Sequence, residues 1–309
     1  MRILVLGAGG YLGGHVTERL RALPGTRVLV GGRSPGADAV VDLASDRPHV
    51  LAGVLAKAAP DAVVNCAGAT GGDAVTLAEV NARGPAVLCA ALREAAPGAR
   101  LVHLGSAAEY GPGVPGRRVA ESEPCAPAGP YGATKLAGTV AVTASGLDAV
   151  VLRVGNPVGA GAPVTGLPGR VAALLDGAGV PGGPEGELRL GDLSAYRDFV
   201  DVRDVARAVE LAVTAPGPPP PVLNVGGGEA LPVREMVRRL ADTAGFRGRI
   251  TEEDGGGSAR SARVSWQCSD ITAARAALGW RPVHSLDASL AALWAARFRS
   301  RTPDGVAAP

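Results

Sequence analysis

The chain has 309 residues, is 47% hydrophobic and carries a net charge of +2. That is enough chain for one large or two smaller domains with real cores, and it excludes a disordered polypeptide. The charge is too weak to point to a nucleic-acid partner, and no apolar run approaches the length of a membrane span. Cys66, Cys89, Cys125 and Cys268 form no CxxC pair, and His15, His49, His103 and His284 have no ligand spacing. Reduced thiols, no metal site and a cytoplasmic location are therefore expected.

Residues 2–6 are a short apolar run, read as a buried parallel strand. Gly7-Ala8-Gly9-Gly10-Tyr11-Leu12-Gly13 follows, then a helical stretch over about 11–23. Gly7, Gly10 and Gly13 are spaced as in a dinucleotide-binding turn: the first permits the turn, the second admits a pyrophosphate and the third lets helix and strand pack closely. The helix N-terminus at Tyr11, Leu12 and Gly13 then faces the phosphates. The next strand, Arg27–Val30, leads to Gly31-Gly32-Arg33-Ser34. An acidic residue here usually holds the ribose 2′-hydroxyl of NAD; Arg33 and Ser34 suit a 2′-phosphate instead, so NADP(H) is preferred and NAD(H) is the alternative. A solvated loop charge is the plainer reading of Arg33. Asp42 and Leu43 close a third strand, Ala39–Val41. Asp42 either accepts from the adenine amine or caps the following helix.

Asp61–Val64 is a fourth strand ending in Asn65-Cys66-Ala67-Gly68, where the small Ala67 and Gly68 let a cofactor lie across the strand end. A helix over about 74–95 carries Asn81. A fifth strand, Leu101–Leu104, ends in Gly105-Ser106-Ala107-Ala108-Glu109. A serine at a strand's carboxyl end lies where ligands bind in such a sheet, and its hydroxyl could steady a carbonyl. Taken alone it reads as a turn cap.

Pro130-Tyr131-Gly132-Ala133-Thr134-Lys135 is the stretch with the most chemistry. On a helix, Tyr131 and Lys135 share one face, one turn apart. A phenol with a pKa of about 10 is a poor acid or base at neutral pH, but a neighbouring ammonium favours the phenolate. The pair can then exchange a proton with a carbonyl or hydroxyl oxygen. Of 31 basic residues only two, Lys57 and Lys135, are lysines. A chain so biased towards Arg would fill a merely solvated position with Arg; lysine offers a compact charge that can also hold a ribose hydroxyl.

A sixth strand, Ala149–Arg153, is followed by a Gly- and Pro-rich stretch, 158–195, with one helix over about 168–177, read as part of a substrate lid. Helices are expected over 203–215 and 232–244, a strand at Val222–Val225, a loop at Asp254–Ser258, a helix from Ser269-Asp270 to Leu278-Gly279, and disorder from about Thr302. The organisation is an α/β doubly wound parallel-sheet Rossmann domain over 1–155, also taking in about 196–226. A smaller substrate-binding domain occupies mainly 156–309.

Taken in order, Gly7-x-x-Gly10-x-x-Gly13, Asp42-Leu43, Asn65-Cys66-Ala67-Gly68, Ser106, Tyr131-x-x-x-Lys135, Leu152-Arg153-Val154-Gly155-Asn156-Pro157-Val158-Gly159 and Arg197-Asp198-Phe199-Val200-Asp201 resemble the extended short-chain dehydrogenase/reductase superfamily in its epimerase/dehydratase branch. The resemblance implies that Ser106 and Tyr131 bind the reacting oxygen and that Lys135 binds the nicotinamide ribose. It implies that Asn156 touches a substrate phosphate and that Arg197 lies near a nucleotide sugar's diphosphate; loop geometry and a salt bridge are the plainer readings of those two. Members often form homodimers, here through segments around 75–95 and 131–146. The family's sugar 4,6-dehydratases carry Asp and Glu directly after the residue matching Ser106. Ala107 and Ala108 stand there in this chain, which argues against dehydration, and Glu109 falls one place too late. Ala108 also stands where fucose-synthase-type enzymes place a cysteine.

The expected activity is an NADPH-dependent ketoreductase acting on a nucleotide-linked 4-keto-6-deoxysugar. An Arg-, Ala-, Gly- and Pro-rich composition, as in GC-rich genomes, extends this to antibiotic sugar biosynthesis. Alternatives are a nucleotide-sugar 4-epimerase with tightly bound NAD, a reductase of a polyketide-like ketone, and a nonenzymatic NADP-binding redox sensor.

Overall fold

Ile3 and Val5 pack into one apolar layer and Leu4 and Leu6 into another, the alternation that a strand with period two imposes when both faces are covered. This holds across the central sheet of the protein, seen in a computed structural model that describes residues 1–177, 186–253 and 264–299. In chain order the elements are β1 (Arg2–Leu6), α1 (Tyr11–Arg21), β2 (Arg27–Gly32), β3 (Ala39–Val40), α2 (Pro48–Ala58), β4 (Ala62–Asn65), α3 (Ala74–Ala78), α4 (Gly84–Ala95), β5 (Arg100–Ser106) and α5 (Pro130–Thr143). There follow β6 (Ala149–Val154), β7 (Asn156–Val158), α6 (Leu167–Gly177), β8 (Glu187–Leu190), β9 (Tyr196–Asp201), α7 (Val202–Thr214), β10 (Val222–Val225), β11 (Ala230–Pro232), α8 (Val233–Thr243), β12 (Arg249–Glu252), α9 (Thr272–Leu278) and α10 (Leu286–Arg299).

Seven strands form one parallel sheet in the order β10-β6-β5-β4-β1-β2-β3. The chain winds outward from β1 through β2 and β3, then returns to the other side of β1 with β4. This reversal opens a crevice at the carboxyl ends of β1 and β4, where ligands bind in such sheets. Val16 and Leu20 of α1, Val205 and Val209 of α7 and the fully buried Trp280 cover one face. Leu51 and Leu55 of α2, Leu88 and Leu92 of α4 and Val142 of α5 cover the other. A third cluster is separate: Val171 and Leu175 of α6, Met236, Val237 and Leu240 of α8, and Leu290 and Leu293 of α10. It carries a three-stranded sheet, β11-β9-β7, and the pair β12-β8. The chain passes between the two units more than once: β10 pairs with β6 before β11 and α8 are added to the second unit, and Ala274 and Trp280 rejoin the first core before α10.

Several expected boundaries move. The first helix stops at Arg21, the second strand runs on to Gly32, the fifth strand reaches Ser106, and the last of the expected helices begins at Thr272, with Asp270 accepting from its N–H. The helix expected over 74–95 is interrupted by a π-helical turn, Glu79–Arg83. The wider turn turns Asn81 inward, where it is 1% exposed, and aims Arg83 at the carbonyls of Leu43, Ala44 and Asp46. Such a turn leaves no mark on apolar periodicity. Asp42 does not cap α2, whose N-cap residue is Arg47; its carboxylate accepts from Ala44 N. The segments Asp254–Ser258, 178–185 and the residues from Thr302 lie outside the described residues.

Candidate active site

A cleft of about 900 Å³ runs along the carboxyl edge of the sheet and under the second unit. Its first wall is the glycine turn. Gly7 has φ +77°, and a Cβ there would stand 2.7 Å from Ala67 N; a Cβ on Gly13 would stand 2.0 Å from Gly7 O. The bare backbone thus lets α1 close onto β1 and brings Ala67 alongside. Gly10 is the N-cap residue of α1, no side chain caps the helix, and its first turn holds no acidic residue. Gly10, Tyr11, Leu12 and Gly13 face the cleft together with Ala67 and Gly68. Open amides at a helix N-terminus suit a pyrophosphate, and this cradle fits a dinucleotide.

The chemical centre lies on α5 and the end of β5. Pro130 occupies the first turn of α5, where its missing N–H is not needed, and Tyr131 and Lys135 both reach the cleft. Lys135 is 5% exposed and donates to Leu104 O. Burial lowers its pKa from the usual lysine range to about 8, with Glu109 and Cys66 pulling the other way. Burial pushes the Cys66 thiol up to about 12 despite the ammonium beside it. Burial, then the charge of Lys135, holds His103 well below the usual imidazole range, and Asn65 bonds its Nδ1 at 3.1 Å. Asn81, from the π-helical turn, brackets the main chain of Ala69, accepting from its N–H at 2.9 Å and donating to its carbonyl at 2.8 Å. That clamp shapes the cleft wall around Gly68.

Ser106 caps a turn and also lies on the cleft wall. Its Oγ accepts from Ala108 N at 3.2 Å, capping the 3-10 turn Ala107–Glu109, while the residue also lines the cleft. With a lone pair spent on the cap, its O–H proton is the part left to offer a ligand.

The far wall comes from the second unit. Asn156 donates to Asp198 O at 3.2 Å and to Gln267 Oε1 at 2.9 Å. Arg197, 7% exposed, donates to Tyr196 O at 2.8 Å, and burial lowers its pKa. Asn156, Arg197, Phe199, Arg170 and Gln267 all line the cleft. Asp198 is fully buried and accepts from Gly228 N at 3.0 Å and Ser269 N at 2.9 Å, which ties down the segment bearing Gln267. Burial raises its carboxyl to about 6, and the backbone donors pull it down.

Ser106, Tyr131, Lys135, Gly10, Tyr11, Leu12, Gly13, Ala67, Gly68, Asn156 and Arg197 thus meet around one space, although the sequence spreads them over nearly two hundred residues. Arg33 and Ser34 are exposed beyond β2, and Asp42 and Leu43 sit on the loop after β3; none of the four lines this cleft. Leu43 is 5% exposed and packs with the second core. Sequence reasoning missed Gln267 and Arg170, each alone in its stretch with no spacing to signal it, and it quoted Phe199 only within the motif that follows Arg197, with no role of its own. It also missed the buried ion pair of Glu109 with Arg153, 2.8 Å apart. Among the described residues no group of three or more His, Cys, Asp or Glu side chains could hold a metal ion, and no helix is long and apolar enough to cross a membrane. The four cysteines are free.

The model of the NAD dependent epimerase/dehydratase family matches residues 3–226, which takes in the glycine turn, Ser106, the Tyr131/Lys135 pair and Arg197. The chain belongs to that family. It is an NAD(P)-dependent enzyme of the extended short-chain dehydrogenase/reductase type, and its relatives modify nucleotide sugars. A dTDP-6-deoxy-L-talose 4-dehydrogenase (NAD(P)(+)) of Kitasatospora kifunensis is 39% identical, with 96% of this chain and 95% of that protein aligned. A UDP-glucose 4-epimerase of Azospirillum brasilense is 30% identical over 92% of this chain and 88% of that protein. Among solved structures, MoeE5 in complex with UDP-glucuronic acid and NAD superposes with a TM-score of 0.82 at 27% identity, covering 97% of this chain and 100% of that one. RMD from Pseudomonas aeruginosa complexed with NADPH shares the fold with a TM-score of 0.81 at 24% identity, over 97% and 99% of the two chains.

Proposed function

We propose that this enzyme is an NADPH-dependent ketoreductase that reduces the 4-keto group of a nucleotide-linked 6-deoxysugar. The observation that carries the reading is the pairing of a buried, cleft-facing Lys135 with Tyr131 one helical turn away, opposite a wall of hydrogen-bonding side chains from the second unit. Two further points support it. Ala107 and Ala108 leave no acid and base for loss of water, and the 39% identical relative is named as a 4-dehydrogenase of dTDP-6-deoxy-L-talose, the reverse of reduction at that carbon.

The nicotinamide dinucleotide supplies the hydride that the reduction needs. Tyr131 gives its proton to the carbonyl oxygen as the carbon is reduced, and Ser106 donates a hydrogen bond that shares the growing charge. Lys135 keeps its charge, favours the phenolate and holds a ribose hydroxyl. Gly10, Tyr11, Leu12, Gly13, Ala67 and Gly68 cradle the dinucleotide. Arg33 and Ser34 take the 2′-phosphate, and the loop of Asp42 and Leu43 takes the adenine. Asn156 and Arg197 hold the diphosphate side of the sugar nucleotide. The unit built on the third apolar cluster is the substrate-binding half, and residues 1–155 with the returning α7 and β10 form the dinucleotide half. The chain works in the cytoplasm as a homodimer through α3, α4 and α5, where Val75 and Val140 are 65% and 55% exposed. Its place is deoxysugar biosynthesis for a natural product.

The test is direct. Purified enzyme mixed with a dTDP-4-keto-6-deoxyhexose and NADPH oxidises the NADPH and yields one dTDP-6-deoxyhexose. No NADPH consumption with such ketosugars, together with NAD retained through purification, overturns the reading in favour of epimerisation.

A further inference from the structure

The ion pair of Glu109 and Arg153 lies outside the cleft wall, is buried, and has no part in the chemistry above. Glu109 is 0% exposed. One carboxylate oxygen accepts from Ser106 N and the other from Arg153 Nε, both at 2.8 Å. Gly105 makes the room: a Cβ there would stand 2.7 Å from Glu109 Oε1 and 3.4 Å from Thr139 Oγ1. Thr139 lies one turn beyond Lys135 on the buried face of α5, and Lys135 Nζ donates to the carbonyl of Leu104, the residue before Gly105. Carboxylate and ammonium therefore sit on neighbouring peptide units of one strand end, with no side chain between them at Gly105. Arg153 stacks its guanidinium 4.5 Å from the centre of the Tyr110 ring, and Tyr110 in turn donates to Asn224 at 2.8 Å, so both ends of the ion pair are held.

We infer that Glu109 is a positioning residue of the reaction: from its seat over Gly105 it keeps the Lys135 ammonium charged and fixes the backbone that presents Ser106, without touching substrate. The inference rests on the roles given to Lys135 and Ser106 above. Two buried cations, Arg153 and Lys135, share this one carboxylate. The other titratable groups facing Lys135 are Cys66 from the end of β4, His103 from β5 and Tyr131 from its own helix, and burial keeps the first two neutral. Of the two cations only lysine sheds its proton readily. Without the carboxylate, burial and the unpaired guanidinium both favour a neutral amine at Lys135, which cannot favour a phenolate at Tyr131.

The composition offers an unusual readout. Lys135 and Lys57 are the only lysines, and Lys57 is exposed on α2. Lysine labelled with carbon-13 at the ε position gives two signals in the ligand-free protein, Lys57 serving as the internal reference. In the wild-type chain the expected midpoint of Lys135 is about 8, lowered by burial. In Glu109→Gln the Lys135 midpoint falls by about one unit or more, with Lys57 unmoved. A folded Glu109→Gln protein whose Lys135 keeps the wild-type midpoint overturns the inference. Because that variant leaves the buried Arg153 without a counter-charge, Glu109→Gln/Arg153→Met is made beside it. Removing a buried pair together is far better tolerated than breaking it. The carboxylate is gone here too, so the midpoint still falls, by less; an unchanged midpoint again overturns the inference. So does a wild-type Lys135 that titrates below neutrality. None of these outcomes involves a sugar, so failure of the ketoreductase assay leaves them readable, and their failure leaves that assay intact.

Discussion

The two walls of the cleft are built in opposite ways. The wall proposed for the dinucleotide is local: Gly7 to Gly13 make the turn after β1 and the first residues of α1, and what they offer the cleft is bare backbone. The far wall is assembled from distant segments: Asn156 bonds Gln267 across 111 residues of sequence, and Arg197 lines the cleft beside them. A group common to many enzymes can be held by backbone in a contiguous turn. A substrate peculiar to one enzyme needs side chains, which a second unit can vary without disturbing the sheet. The Tyr131/Lys135 pair lines the same cleft as both walls.

This contrast can be broken or sharpened by substitution. The largest effect is expected at the centre. Lys135→Met lowers kcat/KM roughly a thousandfold, within the range of general acid–base catalysis, and steady-state kinetics check it. In the native chain the ammonium is present below its pKa and lost above it. The kcat/KM of the free enzyme therefore falls as pH rises through about 8, and a pH profile of NADPH oxidation shows whether it does. Next comes the local wall. A side chain at Gly13 meets Gly7 O; overpacking of that kind costs about 1–3 kcal/mol, so Gly13→Val weakens NADPH binding roughly 10- to 100-fold by fluorescence titration. The KM for the sugar nucleotide changes little once the cofactor is saturating. Arg33→Ala comes third. Loss of one charge-assisted contact, about 1.5–3 kcal/mol, lowers NADPH affinity roughly tenfold or more and leaves NADH affinity unchanged, which paired titrations read. The smallest effect belongs to the distant wall. Gln267→Ala removes one hydrogen bond worth about 1 kcal/mol, raises the sugar nucleotide's KM roughly fivefold and leaves NADPH affinity as it was. A Gln267→Ala protein that loses NADPH affinity instead would show that the walls are not independent.

The same contrast explains what could be read from the sequence. The central strands were legible because both faces of the sheet are covered, so that runs such as Ile3-Leu4-Val5-Leu6 and Ala62-Val63-Val64 are apolar throughout. The glycine turn and the Tyr131/Lys135 pair were legible because each is a pattern of near neighbours in the sequence. The π-helical turn at Glu79–Arg83 was not, because it answers to partners elsewhere: Asn81 to Ala69, Arg83 to the loop after β3. The short strands β7, β9 and β11 were not legible either, being three to six residues long with mixed burial. Gln267 gave no signal at all, since its place in the cleft depends on Asp198 anchoring Ser269 two residues further on. Glu109 was visible only as an acid out of register with a dehydratase; its partner Arg153 is 44 residues away on β6.

The account's central claim is that Tyr131 moves the proton beside a bound dinucleotide, and Tyr131→Phe tests it most directly. Cofactor affinity and single-turnover reduction of a dTDP-4-keto-6-deoxyhexose are measured on the same preparation. NADPH binding at the wild-type level with the reduction slowed by roughly 10²- to 10⁴-fold is the predicted result. Reduction at the wild-type rate by the phenylalanine variant would contradict the claim.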